Sequence, residues 1–181
     1  MRRYLLTIVA SGVVLSGCGG RQAAKTETAA QPEFRLNASI KDIMDSLVDP
    51  AADYIWDSVA TTMTARGRQE KYPRTDEEWK EVRRRAIQLM EGANLLLIPG
   101  RPVAGAGQTA DPRVELPPDQ IEALINQDRA SFANLAHGLY DSVLPALQAI
   151  EAKDKDKLLE AGDAIDRACE SCHLKYWYAK R

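Results

Sequence analysis

From residue 36 onward, apolar side chains recur every three or four positions, the period of a helix with one buried face. No stretch of useful length alternates with the period of two that a half-buried strand requires. An all-α chain follows, folded as an antiparallel four-helix bundle. The first helix is predicted from about Ala38 to Thr64, with Ile40, Ile43, Met44 and Leu47 on one side and Tyr54, Ile55, Val59 and Met63 continuing the stripe. Asp49-Pro50 interrupts it, either as a kink or as a cap with Pro50 opening a second segment. The second helix opens at Thr75-Asp76-Glu77-Glu78, a capping-box pattern, carries Trp79, Val82, Ala86, Leu89, Ala93 and Leu96, and stops at Pro99-Gly100. The third starts after Pro117-Pro118, with Ile121, Leu124, Ile125, Phe132, Leu135, Leu139, Val143 and Leu147 on its stripe, and Pro145 is expected to kink it. The fourth runs from about Lys155 to the end, placing Leu158, Gly162, Ile165, Cys169, Cys172 and Tyr176 on one face.

Between helices two and three lies a Pro- and Gly-rich segment from Pro99 to Pro118, far longer than an ordinary bundle turn. It lacks His and Cys, so it reads as a connector crossing one end of the bundle.

The N-terminus follows other rules. Arg2 and Arg3 precede an apolar run from Tyr4 to Leu15, which is too short to span a hydrocarbon core of about 30 Å and closes on small residues. Residues 1–17 therefore read as a secretion signal. Leu15-Ser16-Gly17-Cys18 resembles the lipobox of bacterial lipoproteins, which implies cleavage before Cys18, acylation of that cysteine and anchoring to a membrane. Residues 18–35 contain almost no large apolar side chains and read as a flexible tether, leaving 36–181 as the folded domain. The expected location is periplasmic and membrane-anchored.

Charge changes this picture little. Loss of Arg2 and Arg3 takes 24 basic residues to 22 against 26 acidic ones, a net of −4, and nothing suggests nucleic acid as a partner. Two histidines support no Ser-His-Asp arrangement, and there is no Gly-rich phosphate loop or distinctive carboxylate pair, so an independent enzyme is not expected.

With Cys18 set aside, Cys169 and Cys172 need their own account. Cys169-Glu170-Ser171-Cys172-His173 is C-x-x-C-H, the attachment motif of c-type haem, in which two thiols add to the porphyrin vinyls and the adjacent imidazole binds iron. On a helix the three residues share one face. Zinc would need two further donors, and outside the motif only His137, Cys18 and carboxylates are on offer. A thioredoxin-like pair belongs at a helix start in a strand-rich domain, and a structural disulfide or plain thiols are the remaining alternatives. One covalent haem c is the reading that also uses the histidine and the export signal.

An attachment motif near the C-terminus of a four-helix bundle resembles the cytochrome c′ group, the class II c-type cytochromes, over about residues 36–181. That resemblance implies a haem within the bundle and His173 as its fifth ligand. Members often carry a basic residue shortly after the motif. Here Tyr176 is followed by Trp177 and Tyr178, with Lys175 and Lys180 nearby.

In the Met-ligated branch of that family the sixth ligand comes from the first helix, which points to Met44. Met63, Met90 and His137 are the competitors, and Met44 as plain core filler is the bland alternative. His and Met ligation favours reversible electron transfer with a redox partner protein. An open sixth position would favour NO or CO binding, and a third reading is a haem subunit of a larger respiratory enzyme. Association into a homodimer is left open.

Overall fold

The computed structural model describes residues 34–179. The expected signal 1–17, most of the expected tether 18–35 and the expected lipidation site Cys18 lie outside the described residues.

Four long helical runs form the bundle. The first comprises α1 (Ile40–Ile43), a π-helical turn (Met44–Val48) and α2 (Asp49–Ser58). It starts at Ser39, whose hydroxyl accepts from Asp42 N–H while the Asp42 carboxylate accepts from Ser39 N–H, a complete capping box. The π turn resolves the question raised by Asp49-Pro50. Pro50 has no N–H for the carbonyl four residues back, and its ring crowds that carbonyl. The chain widens by one residue instead, with Asp49 N–H donating to Met44 O, and the helix continues.

The expected extension of this helix to Thr64 is corrected. The helix stops at Ser58, and Ala60–Thr64 (β1) pairs antiparallel with Gly67–Lys71 (β2) in a hairpin. Three β-branched threonines in five residues favour extended backbone, and Gly67 at φ +101° completes the tight turn at a conformation that side chains resist. The hairpin stands almost wholly in solvent, so its strands show no hydrophobic alternation.

The second run, α3 (Asp76–Leu96), begins at the expected box, with Thr75 Oγ1 accepting from Glu78 N–H and Glu78 accepting from Thr75 N–H. The predicted third helix is two. α4 (Pro118–Gln127) ends at Asp128, whose side chain caps α5 (Arg129–Ala152) by accepting from Ser131 N–H. α5 is unbroken at Pro145, which lies on its exposed side where the freed carbonyl meets water. Lys153, in the left-handed conformation at φ 55°, closes α5, and α6 (Lys155–Tyr176) starts after the Asp154 cap.

Adjacent runs are antiparallel. Lys153 after α5 pairs with Asp76 at the start of α3, Arg83 pairs with Glu151, and α6 returns alongside α5 after a turn. The core consists of the expected stripes, including Ile55, Val82, Leu89, Val143, Leu158 and Ile165.

The segment from Pro99 to Pro118 crosses the bundle end, as expected, and is tightly engaged there. Val103 is 1% exposed. Ile40 N–H donates to Pro102 O at 2.9 Å and Lys41 N–H to Val103 O at 3.0 Å, satisfying orphan amides of the first helix. Gln108 bonds both Ser39 and Asp42.

Candidate functional site

The last three turns of α6 carry the C-x-x-C-H motif on the same face that buries Leu158, Ala161 and Ile165 higher up. That face turns Cys169, Cys172 and His173 partly inward, toward a narrow cavity of about 20 Å³. Met44, Val48 and Asp49 of the first run line this cavity too, with Leu96 from α3 and Leu135, Ala136 and Leu139 from α5. Residues separated by more than 120 positions in sequence thus share one apolar enclosure. It lies toward the end crossed by the long loop, away from the hairpin.

The enclosure shapes the chemistry of its polar members. Burial, with the nearby charges of Asp49, Cys172 and Asp166, pushes the Cys169 thiol up to about 12. Burial alone pushes Cys172 up to about 11. Both are free thiols. Asp49 sits at the rim, with exposed surface but enough protein around its carboxyl to raise its pKa by desolvation. His173 opposes that rise by attraction, and Asp45 and Asp53 add to it by repulsion.

Beyond the motif the chain turns back on His173. Trp177 N–H and Tyr178 N–H both donate to His173 O, at 2.8 and 2.9 Å. The Tyr178 hydroxyl lies 3.2 Å from Glu170 Oε2 and 3.5 Å from His173 Nδ1. Desolvation, then the hydrogen bond and charge of Glu170, hold the Tyr178 phenol above its ordinary value. The long loop grips this tail: Leu116 N–H donates to Trp177 O at 2.8 Å and Ala179 N–H to Val114 O at 3.0 Å. Glu115 accepts from Trp177 Nε1 and pairs with Lys41 at 3.0 Å. Desolvation raises the Glu115 carboxyl, but Lys41, Trp177 and the Asp111 amide outweigh it and leave the pKa lowered.

No family model and no curated protein matches the chain. Among solved structures it is similar to cytochrome c prime from Alcaligenes xylosoxidans. A nitric oxide complex of one variant has a TM-score of 0.47 at 20% identity, covering 82% of this chain and 100% of that one. A ferrous variant with bound NO scores 0.48 at 19% identity, and a reduced variant 0.46 at 22%, each with the same coverage.

The residues present fit a covalently held haem by their chemistry. Two thiols and an imidazole lie within one turn of helix, a thioether shares their cavity, and the remaining lining is almost entirely apolar, as the faces of a porphyrin require. The cavity itself has room for about one water, so its walls would stand further apart around a bound ring. Between α2 and α6 a groove of about 310 Å³ is lined by Ile55, Trp56, Val59, Leu158, Leu159, Gly162, Asp163 and Asp166, and Trp56 Nε1–H reaches across it to Gly162 O at 3.2 Å. Among the described residues no three His, Cys, Asp or Glu side chains converge as a metal-binding group.

The competing candidates lie elsewhere. Met63 is 74% exposed on β1, not further along the first helix, and Met90 is packed in the core on α3 at 6% exposure. His137 is exposed on α5. Arg84 and Arg85 pair with Glu81, Arg84 also with Glu77, and Arg83 with Glu151, an ion-paired helix face. Trp79 is buried, and Tyr54 is partly exposed under Arg85. Sequence reasoning passed over Glu170 and Glu115 and gave Tyr178 no role. The sole signal was an aromatic pair following the motif, and the loop that holds it is remote in sequence.

Proposed function

We propose that this chain is an exported monohaem c-type cytochrome that carries electrons, with haem c attached through Cys169 and Cys172 and its iron bound by His173 and Met44. Haem bound there supplies a one-electron couple between Fe(III) and Fe(II). The observation that supports the reading is the convergence of Met44 with the whole C-x-x-C-H motif on one apolar cavity. The two cysteines would fix one edge of the ring covalently. His173 and Met44 approach from different helices, and a histidine–thioether pair raises the potential and favours reversible transfer over ligand capture. Leu96, Leu135 and Leu139 exclude water from the site. The partner is then a redox protein, no substrate is transformed, and a lipid at Cys18 would hold the protein at the periplasmic face of a membrane.

Optical spectra of the exported holo-protein test this. A low-spin ferric spectrum with a sulfur-to-iron band, lost in Met44→Ala and indifferent to CO in the parent, is the expected result. A high-spin parent that shifts on adding CO replaces the carrier reading with an NO- or CO-binding haem. Co-purification with a stable oxidoreductase would make the chain a haem subunit of a larger respiratory enzyme.

A further inference from the structure

We infer that Tyr178 is a positioning residue for the iron-binding histidine: its hydroxyl, donating to Glu170, turns a lone pair toward Nδ1 of His173 and thereby fixes the orientation, tautomer and basicity of the imidazole. The inference rests on the proposed role of His173 as an iron ligand.

The proton arithmetic follows from the three groups. A phenol has one proton, a carboxylate only accepts, and Glu170 Oε2 is 3.2 Å from the Tyr178 hydroxyl. The phenol proton therefore belongs to Glu170, and what faces Nδ1 at 3.5 Å is an acceptor. Nδ1 then carries the ring hydrogen and Nε2 is left unprotonated, the form in which a histidine binds a metal. A carboxylate behind the phenol makes the hydroxyl oxygen a better acceptor, so the imidazole gains electron density and stabilises Fe(III) relative to Fe(II). At 3.5 Å the contact is at the outer limit of hydrogen bonding, which sets the effect at a moderate size.

The placement is built, not incidental to a loose tail. Tyr178 packs its ring 5.5 Å from the His173 ring, and its backbone N–H donates to His173 O. On its other side it forms a β-bridge with Glu115 of the long loop. Glu115 in turn pairs with Lys41, three residues before Met44, so one clamp ties the histidine-bearing end of α6 to the methionine-bearing turn.

The test is the reduction potential and ferric EPR spectrum of the exported holo-protein in Tyr178→Phe, Glu170→Gln and the double variant. Phenylalanine keeps the ring packing and removes only the acceptor. With covalent haem intact, Tyr178→Phe should raise the Fe(II)/Fe(III) ratio at fixed potential about three- to tenfold, tenfold being 59 mV for one electron. Its EPR g-values should move with it. Glu170→Gln should shift the potential the same way, and by less in the Tyr178→Phe background, because part of its effect passes through the hydroxyl. Tyr178→Phe with haem attached, an unchanged potential and unchanged g-values overturns the inference, as do equal Glu170→Gln shifts in both backgrounds. If Tyr178→Phe fails to mature, Glu170→Gln alone must still shift the potential positive, and no shift overturns it. A parent without covalent haem overturns the underlying reading instead.

Discussion

Cys169 and Cys172 are held where protein mass desolvates their thiols, and that has a chemical price for anything that must react with them. An ordinary value of 9.0 rising to about 12 at Cys169 means roughly a thousandfold less thiolate at neutral to mildly alkaline pH. The folded haem-free protein should therefore alkylate slowly with iodoacetamide at pH 8. Adding denaturant should accelerate the reaction at both positions by two orders of magnitude or more, measured by mass spectrometry. Equal rates in the folded and unfolded chains would mean that the thiols are not enclosed. On the proposed function, the same desolvation would place haem attachment before the bundle closes. The motif itself was legible in the sequence because its chemistry is local, five consecutive residues on one helical face. Met44 was favoured over the other methionines only through the family resemblance, not through any local pattern. What separates it from Met63 and Met90 is placement: one stands in solvent on a strand and the other fills the core between helices.

At the scale of elements, the first run and α3 approach closely at Gly92. A Cβ there would meet Val48 Cγ2 at 2.9 Å, with the Leu47 Cβ at 3.9 Å, and Val48 also lines the cavity. Gly92→Ala must displace the Val48 side chain and is expected to cost about 1–3 kcal/mol, read from urea unfolding. On the proposed ligation it should also perturb the Met44-dependent optical band, because Met44 opens the turn that carries Val48. A stable variant with an unchanged spectrum would show that the turn yields without moving its methionine. Helix starts were the elements best read in advance, since Thr75 and Glu78 satisfy each other across three residues. The hairpin was misread because Val59 and Met63 continue a helical spacing by coincidence. Thr61, Thr62, Thr64 and Gly67 were the contrary signal, one of backbone preference and not of hydrophobic period. The break at Asp128 was missed for the related reason that a side chain capping the next helix leaves the apolar stripe on both sides intact.

Across the whole molecule, the site and the hairpin occupy opposite ends of the bundle. The hairpin contributes no buried apolar side chain beyond its base, and an isolated two-stranded ribbon has little stability of its own. Ala60 and Lys71 are paired neighbours, so replacing 61–70 by a short Gly/Ser turn spans the gap. It sacrifices a partly exposed ion pair between Glu70 and Lys155, which water largely screens. The bundle should keep its melting temperature within a few degrees by circular dichroism. A large loss would mean that the hairpin supports the core in a way its exposure does not reveal. The loop at the other end behaves differently, because its backbone satisfies the amides that begin the first helix and grips the tail that follows His173.

By itself the sequence determined what depends on near neighbours: the helical period, the capping box at Thr75, the C-x-x-C-H motif and the Pro-Gly stop after the second helix. These are interactions over three or four residues, and the chain states them directly. Only the tertiary structure decided which methionine shares an enclosure with the motif, that the long loop clamps both ends of the site, and that the gripped tail turns Tyr178 back onto the histidine. Each of these joins segments far apart in sequence or turned back on themselves. Their contacts depend on how four helices pack, and no local pattern of residues encodes them.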